Sequence, residues 1–374
     1  MLPTLLDFPT RTRIVFGPGC AVRAGEFARE LGARQVLLVT DPGIVAAGHA
    51  ANVQKSLVAA GLTVTTFDQA KENPTTKCVE DCVAMAKAAS ADTLIGLGGG
   101  SSMDTAKGCN FILTNGGRMQ DYWGVGKATK PMLPFVAIPT TAGTGSELQS
   151  AALIADEVTH QKMACLDPKC AAAVAILDPA LTISQPPRVT ACTGIDAIAH
   201  AVETAVTTKR NELSQKLSRE AFKLCIGALP DVLCEPANLD ARARMQLGAA
   251  YAGAAIENSM LGAAHAAANP LTAHFGIVHG HAVGLMLPHV VRFNASQNES
   301  AAIYARLDSG AEALARRLSD LVKLAGLSPS LADCGVEKSS LPMLADEAAK
   351  QWTAQFNPRA IRALDFARLY EEAF

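Results

Sequence analysis

TLIGLGGGSSMD, residues 93–104, joins a short apolar run directly to three consecutive glycines and a polar segment. An apolar run of this length that ends in a turn predicts a strand buried on both faces. Glycines let a backbone approach a ligand closely, and the start of a following helix offers free N–H groups. The stretch therefore predicts a strand, a phosphate-binding turn and a helix, although three glycines also suit an ordinary tight turn.

Similar apolar runs lie on both sides of this stretch and alternate with segments of helical character. One helix is predicted over about 44–60, and another begins at Asn73-Pro74-Thr75. Further strands are predicted at 13–16, 35–40, 63–68 and 134–138. Strands that alternate with helices in this way predict a parallel sheet with helices on both faces.

A second turn rich in glycine and hydroxyl groups, TTAGTGS at residues 140–146, follows the last of these strands. Open α/β sheets bind ligands at the carboxyl ends of their strands. Two such turns at one edge therefore predict a nucleotide site. The glycines do not follow the GxGxxG spacing, and no acid follows them at the interval of the usual dinucleotide fingerprint.

An acid does stand at the end of an earlier strand, at Asp41. A carboxylate there can accept a hydrogen bond from the 2′-hydroxyl of an adenosine ribose and repels a 2′-phosphate, which predicts a preference for NAD(H) over NADP(H). The alternative interpretation is a turn aspartate in front of Pro42.

The character of the chain changes after about residue 183, where β-branched runs stop and Ala, Leu, Glu and Arg dominate. This change predicts two domains. An α/β dinucleotide-binding domain spans 1–183, and an all-helical domain spans 184–374.

Acid and histidine side chains are concentrated on apolar stretches of the helical half. In GIDAIAHAVE, residues 194–203, Asp196 and His200 stand four residues apart and so share one helix face. For this pair alone, a hydrogen bond in the core is an equally good interpretation. GAAHAAANPLTAHFGIVHGH, residues 262–281, holds half of the eight histidines, namely His265, His274, His279 and His281. An acid and several imidazoles on apolar elements form a ligand set for a divalent metal.

Composition excludes several classes of function. A net charge of −2 and an aromatic content of 5% argue against a nucleic-acid-binding protein. The most apolar long window, 248–271, is interrupted by Glu257, Asn258 and His265, so no membrane span is expected. The start, MLPTLLDFPTRTR, does not have the pattern of a signal peptide, and the ten cysteines form no CxxC pair. We therefore expect a cytoplasmic protein with reduced thiols.

Together these motifs resemble the iron-containing (group III) alcohol dehydrogenases. The resemblance rests on GGGSSMDTAK at 98–107, PTTAGTGSE at 139–147, GIDAIAHAVE at 194–203, the segment with His265 and His279, and Asn357-Pro358-Arg359. The first four are separate motifs in the right order, which makes the resemblance specific, and the resemblance spans nearly the whole chain.

The resemblance implies a fold, a cofactor and a set of site residues. The fold is that of the dehydroquinate synthase-like and iron-containing alcohol dehydrogenases, with an α/β dinucleotide-binding domain followed by a helical one. The metal, usually Fe(II) and sometimes Zn(II), would be held by Asp196, His200, His265 and His279. The NAD(H) positions would be Asp41, Asn73, Gly98, Gly99, Gly100, Ser101, Ser102, Asp104, Thr140, Thr141, Thr144 and Lys162. A homodimer is also implied.

One position departs from the family pattern. The family commonly has HxxxHP after its third ligand, whereas this chain has Asn269 in place of the second histidine. Asn269 lies one helical turn after His265, so we assign it a catalytic position facing the nicotinamide, but asparagine cannot titrate near neutral pH. His274 and His281 are the nearest alternatives in sequence, and both are expected to be exposed.

The predicted activity is a metal-dependent interconversion of an alcohol and an aldehyde or ketone, by hydride transfer with NAD(H). One alternative is a hydroxyacid–oxoacid transhydrogenase that retains its nicotinamide. A dehydroquinate synthase-like lyase would need Lys and Arg around the metal, and the helical metal segments contain none. A metal-stabilised scaffold would not need two phosphate-binding turns.

Overall fold

The computed structural model describes the backbone of residues 6–8 and all of residues 11–159 and 161–374. Most of the stretch 1–13, judged above not to be a signal peptide, lies outside the described residues. The chain divides into one unit of Met1–Thr141 and Ser146–Gln185 and a second of Ala142–Gly145 and Pro186–Phe374. The main division falls two residues after the predicted boundary at 183, and residues 142–145 belong to the second unit.

The first unit is built on a seven-stranded sheet in the order β1-β2-β10-β7-β5-β3-β4. Six of its strands are parallel, and β1 pairs antiparallel with β2 at one edge. The central strands are buried on both faces, as their continuous apolar sequences require. The strands are β1 Leu6–Phe8, β2 Arg13–Phe16, β3 Gln35–Val39, β4 Thr63–Phe67, β5 Thr93–Gly98, β7 Phe135–Pro139 and β10 Val174–Leu177.

Helices connect these strands, and two of them begin at side chains that cap them. Asp41 caps α2 by accepting from the backbone N–H of Ile44, and Thr75 caps α4 by accepting from that of Cys78. The predicted helix over 44–60 is two helices, because Gly48 adopts a left-handed conformation with φ 79° between them. The helices are α1 Ala24–Glu30, α2 Pro42–Ala46, α3 His49–Ala59, α4 Thr76–Ala88 and α5 Gly100–Asn115.

A second, three-stranded sheet in the order β6-β9-β8 was not predicted. Its strands are β6 Gly124–Val125, β8 Ala151–Ala155 and β9 Lys162–Leu166. In β8 and β9 buried residues alternate with more accessible ones, so one face of this sheet is packed and the other is open. These strands are short and carry few β-branched residues, which explains why the sequence pattern missed them.

The described residues of the second unit form helices and no strand, as predicted. Its core contains many alanines, whose small side chains let α6 pack closely against α7, α8 and α10. The helices are α6 Pro187–Val206, α7 Glu212–Cys234, α8 Leu239–Glu257, α9 Ala263–Phe275, α10 His279–Asn294, α11 Asn298–Leu307, α12 Ala311–Leu324, α13 Leu341–Lys350 and α14 Ala363–Ala373. The predicted fold class, a parallel-sheet α/β domain followed by a helical domain, is confirmed.

The glycines of the second turn are needed for packing inside the helical unit. A Cβ atom on Gly143 would lie 2.5 Å from the Cβ of Thr193, and one on Gly145 would lie 2.5 Å from the Cα of Gly253. Residues 142–145 therefore press their backbone directly against α6 and α8. This contact gives the glycines a structural role that the sequence pattern alone did not indicate.

Among the described helices, none has the length and apolar character that crossing a bilayer requires.

Candidate metal and cofactor sites

One face of α6 carries three buried polar side chains. Asp196, His200 and Glu203 follow one another at spacings of four and three residues, which places them on the same side of the helix. The rest of α6 is mainly small and apolar, so the three side chains face the interior of the helical unit. The predicted common face of Asp196 and His200 is therefore observed, and Glu203 extends it by one turn.

Two further histidines approach this face from helices that follow one another in the chain. His265 is the third residue of α9, and His279 is the first residue of α10. Gly276 ends α9 in a left-handed conformation with φ 63°, so the chain can turn back within a few residues. The short connection brings both imidazoles to the same region.

Asp196, His265 and His279 each offer a ligand atom, and these three atoms lie within 4.8 Å of one another. The Nε2 atom of His265 is 3.3 Å from Oδ1 of Asp196. His200, the fourth predicted ligand, lies beside this group: its Nε2 is 3.5 Å from the same Oδ1, and its ring stacks on that of His265 at 4.8 Å. The structure thus brings all four predicted ligands to one region.

Two facing atoms of this cluster are buried without a hydrogen-bond partner, namely Oδ1 of Asp196 and Nε2 of His265. Buried polar atoms are nearly always hydrogen-bonded, so such a concentration needs a cause. A cation between a carboxylate oxygen and imidazole nitrogens supplies one. The donor set of one carboxylate and three imidazoles therefore fits a divalent metal.

The electrostatics of the cluster favour an ionised carboxylate. Burial alone would raise the pKa of Asp196, but the neighbouring imidazoles of His200, His265 and His279 outweigh it and hold that pKa well below its usual range. Burial lowers the pKa of His200, which favours the neutral imidazole that can bind a metal. Burial alone would lower the pKa of His265, but the carboxylates of Glu203 and Asp196 raise it to about 9, so a metal that binds there must displace a proton from this ring.

Glu203 is the residue that sequence reasoning missed. One of its carboxylate oxygens, Oε2, bonds Nδ1 of His265, and the other, Oε1, accepts from the backbone N–H of Ala264 at 2.7 Å. Its spacing of seven residues from Asp196 on an apolar helix was the available signal. A buried acid needs a polar partner, and an acid on the same helix face as a predicted ligand is expected to find that partner in the same site.

The predicted catalytic position, Asn269, already has a partner within the helical unit. Its Nδ2 atom donates to Oε1 of Gln351 at 3.0 Å. His274 is exposed, as expected, and it pairs with Glu347. The expectation that His281 is exposed was wrong, because this residue is buried with its Nε2 atom 2.8 Å from the carbonyl oxygen of Ser328. A polar partner inside the fold makes that burial tolerable.

The predicted phosphate-binding turn lies between β5 and α5. Gly98 has φ 147°, and a Cβ atom on it would lie 2.5 Å from Oγ of Ser102 and 3.1 Å from Oδ2 of Asp41. Gly99 precedes α5 with no side chain capping the helix, and Gly100 and Ser101 are its first residues. The turn therefore has the open helix start that suits an anion.

Asp41 has two hydrogen-bonding roles in the α/β unit. Its Oδ1 atom caps α2 through the N–H of Ile44, and its Oδ2 atom accepts from Oγ of Ser102 at 3.1 Å. Asp41 therefore does act as a turn residue in front of Pro42, and the same carboxylate also contacts Ser102, which follows the glycine turn.

Asp104 and Lys107, further along α5, hold the loop that leads to β8. The Nζ atom of Lys107 is fully buried and donates towards four oxygens, on Ser146, Gln149 and Ala151, at 2.6–3.0 Å. Asp104 accepts from Oγ of Ser146 at 2.8 Å and from the N–H of Leu153 at 3.3 Å. Burial raises the pKa of Asp104. The observed contacts of Asp104 are therefore structural.

The remaining predicted cofactor residues lie at several places. Thr140 is buried and donates its N–H to the carbonyl oxygen of Gly98 at 2.9 Å, while the methyl group of Thr141 faces Gly99. Lys162 is exposed, and its Nζ atom donates to Oδ1 of Asn73 at 3.4 Å. Thr144 is half-buried within the segment 142–145 of the helical unit.

Comparisons with known proteins cover the whole described architecture. A family model described as iron-containing alcohol dehydrogenase matches residues 11–179, and one described as the carboxyl-terminal part of that family matches residues 190–374. Alcohol dehydrogenase 4 of Schizosaccharomyces pombe is 35% identical over 92% of this chain and 83% of its own length. The NAD-dependent methanol dehydrogenase of Bacillus methanolicus is 34% identical over 96% of this chain and 97% of its own.

A solved structure gives the same result. The crystal structure of a 1,3-propanediol oxidoreductase superposes with a TM-score of 0.93 at 31% identity and covers 100% of both chains. Both family models, the extended identity and the buried Asp and His cluster agree, and together they make this chain a member of the iron-containing alcohol dehydrogenase family.

Proposed function

We propose that this protein interconverts an alcohol and an aldehyde or ketone with NAD(H), using one divalent metal held by Asp196, His200, His265 and His279. Fe(II) is the first choice because of the family, and Zn(II) is the alternative because nitrogen and oxygen ligands suit both ions. Short-chain alcohols and their aldehydes are the substrate class, since the similar proteins are named for methanol and 1,3-propanediol.

The observation that carries this proposal is the unpartnered state of Asp196 Oδ1 and His265 Nε2, which face each other at 3.3 Å in a buried site. Two acceptor atoms at this distance repel each other unless a proton or a cation lies between them. A bound divalent ion would act as a Lewis acid on the substrate oxygen and lower its affinity for a proton.

The protein's own side chains would hold the metal and orient the substrate. Asp196 is held as an anion by the surrounding imidazoles, and the buried setting keeps water away from it. Asn269 can orient a hydroxyl group through its amide but cannot take up a proton. We therefore propose that the proton of the alcohol leaves through water or cofactor hydroxyls. NAD(H), when bound, carries the hydride.

The α/β unit supports the cofactor half of the proposal. The open start of α5 and the glycine turn at Gly98–Gly100 would receive the pyrophosphate, and Asp41 would face the adenosine ribose. A like charge about 4 Å from a 2′-phosphate costs up to about 4 kcal/mol at an effective dielectric of 20, and solvent around the half-buried Asp41 reduces this.

Replacing the charge of Asp41 while keeping its cap tests this assignment. Asp41→Asn retains an oxygen that can accept from Ile44, so α2 should stay intact. We expect the ratio of kcat/KM for NAD+ over that for NADP+ to fall about tenfold or more. Asp92→Asn is the matched control, because Asp92 accepts from the N–H groups of Arg34 and Gln35 at the amino end of β5. An unchanged ratio in Asp41→Asn would place Asp41 away from the ribose.

A substrate panel tests the activity itself. Protein prepared without metal and then loaded anaerobically with Fe(II) or Zn(II) is assayed with short alcohols, diols and aldehydes, each with NAD(H) and NADP(H). We expect NADH absorbance to change with at least one pair, and only after metal loading. Turnover that requires a hydroxyacid and an oxoacid together, with no net NADH, would instead identify the transhydrogenase.

Two further expectations concern the setting of the enzyme. The ten cysteines, all within the described residues, form no disulfide, which supports a cytoplasmic location. A homodimer follows the family resemblance, and light scattering coupled to size-exclusion chromatography would measure it directly as a mass of about twice the 39.0 kDa chain.

A further inference from the structure

Glu203 makes two contacts that bear on one metal ligand. It is buried on α6, on the same face as Asp196 and His200. Its Oε2 atom bonds the Nδ1 atom of His265, and its Oε1 atom accepts from the N–H of Ala264, the neighbouring residue in the chain. One carboxylate therefore contacts both the ring of His265 and the backbone that carries it.

The ring contact determines which nitrogen of His265 holds the proton. An ionised carboxylate only accepts hydrogen bonds, so Nδ1 must donate. In a neutral imidazole the other nitrogen, Nε2, then carries the free lone pair. This Nε2 atom is the one that lies 3.3 Å from Asp196 Oδ1 without a hydrogen-bond partner.

The backbone contact determines where His265 stands. Gly262 starts α9 without capping it by a side chain, and the first N–H groups of the helix are instead satisfied from distant parts of the chain. Ala264 donates to Glu203, and Ala263 donates to Oδ1 of Asn357 at 3.4 Å. A Cβ atom on Gly262 would lie 3.2 Å from both of these acceptor atoms, so the glycine makes room for them.

We propose that Glu203 is a positioning residue that fixes His265 with its proton on Nδ1 and, by capping α9, presents Nε2 to the metal. The inference rests on the proposed metal-dependent function. The inference goes beyond that function because it assigns the orientation of His265 to Glu203, a residue outside the ligand set. Carboxylates that orient ligating histidines in this way raise metal affinity by about 10–100-fold.

Glu203→Gln tests whether Glu203 positions His265 or only fills space, because glutamine has nearly the same size as glutamate. Both neighbours of Glu203, His265 Nδ1–H and Ala264 N–H, donate, whereas glutamine offers one acceptor and one donating amide. If the amide faces His265, the ring proton must move to Nε2, which can then no longer coordinate. If the amide faces Ala264 instead, two donors oppose each other and the start of α9 is displaced.

Asn357→Ala is the matched control. It removes the other acceptor at the start of α9 and leaves the Glu203–His265 contact intact. Competition with a chelator, for Zn(II), should show metal affinity at least about tenfold weaker in Glu203→Gln than in the wild type. In Asn357→Ala the loss should be smaller, with a lower melting temperature. Equal losses in both variants, or wild-type affinity in Glu203→Gln, would overturn the proposal.

A second measurement does not depend on either variant. In the Zn(II)-loaded wild-type protein with 15N-labelled histidine, long-range 1H–15N correlation should show His265 protonated at Nδ1 and metal-bound at Nε2. The reverse assignment would also overturn the proposal. Both readouts are independent of turnover, so a wild type that binds metal but oxidises no alcohol contradicts the proposed activity and leaves this inference standing.

Discussion

The two candidate sites of this protein are formed by different kinds of chemical group. In the α/β unit, the candidate cofactor site is largely backbone: the glycine turn after β5 and the uncapped start of α5. In the helical unit, the candidate metal site consists of buried side chains from α6, α9 and α10. The first kind of site follows from local sequence, whereas the second depends on contacts between residues far apart in the chain.

The two sites should therefore fail in opposite ways. A backbone site is damaged by added atoms, because its ligand must approach the main chain closely. A side-chain site is damaged by removed atoms, because each ligand and each supporting hydrogen bond is individually necessary. Substitutions that add a methyl group in one unit and delete a ring in the other put this contrast to the test.

Deleting the ring of His265 should have the largest effect. His265→Ala removes an atom of the compact ligand group, and we expect metal content to fall below roughly a tenth of the wild-type value and activity to fall more than about 100-fold. Elemental analysis and the alcohol assay measure both. His274→Ala is the matched control on the same helix, since His274 is exposed. Equal metal content in the wild type and His265→Ala would remove His265 from the ligand set.

Adding a methyl group to the glycine turn should come next. In Gly98→Ala the new Cβ would stand 2.5 Å from Oγ of Ser102, at a residue whose φ is 147°. Strain at such a position costs about 1–3 kcal/mol of folding free energy, and we also expect NAD(H) to bind at least tenfold more weakly. Calorimetry and equilibrium titration measure the two effects.

Gly32→Ala separates strain from steric filling. Gly32 also has a positive φ, of 86°, but a Cβ there meets no atom within 4 Å. It should lose stability and keep its affinity for NAD(H). Equal loss of NAD(H) affinity in both variants would mean that the turn at Gly98 does not bind the cofactor directly.

The contrast also explains what the sequence could predict. Strands β3, β5 and β7 are continuous apolar runs, and their ends were predicted to within one or two residues. Asp196 and His200 share a helix face through spacing alone. These features depend on neighbours a few residues away, where periodicity and turn chemistry are decisive.

The features that could not be predicted depend on long-range contacts. Nothing near Glu203 in the sequence indicates that it meets His265, 62 residues later. The burial of His281 depends on a carbonyl at Ser328, 47 residues away. The strands of the smaller sheet contain few β-branched residues and become strands because they pair with each other. Tertiary contacts, and not local propensity, determine such positions.

A buried carboxyl outside the metal site gives a pH-dependent effect on the free energy of unfolding. Burial raises the pKa of Glu147 from the ordinary 4.5 to about 7. Between these pH values the unfolded chain loses its proton first, so the folded state loses stability as pH rises, by up to about 3 kcal/mol above pH 7. Glu147→Gln removes this loss. Its advantage over the wild type in urea denaturation should grow from pH 5.5 to pH 8.

Glu157→Gln provides the comparison, because Glu157 is exposed in the same unit. It makes the same chemical change at a solvent-exposed carboxylate, so it measures the effect of the substitution without burial. If the difference in free energy of unfolding between Glu147→Gln and the wild type is the same at both pH values, Glu147 titrates normally. Its carboxyl would then be buried without the expected cost.

The smallest effect is expected at Asn269, where this chain departs from the family. The amide already donates to Gln351, so Asn269→His should leave the fold and the metal content intact. If the side chain faces the reacting centre as predicted, the imidazole adds a group with an ordinary pKa of about 6.5. The profile of kcat/KM against pH should then gain or shift an ionisation near neutral pH.

Asn269→Ala distinguishes a new proton carrier from a lost amide. Alanine removes the hydrogen bond to Gln351 without adding a titrating group, so any change common to both variants reflects the amide alone. A shift that occurs only with histidine would place position 269 at the reacting centre. Profiles that superimpose on the wild type in both variants, with unchanged metal content, would mean that Asn269 serves only the contact between α9 and Gln351. The proton would then leave by a route that this side chain does not touch.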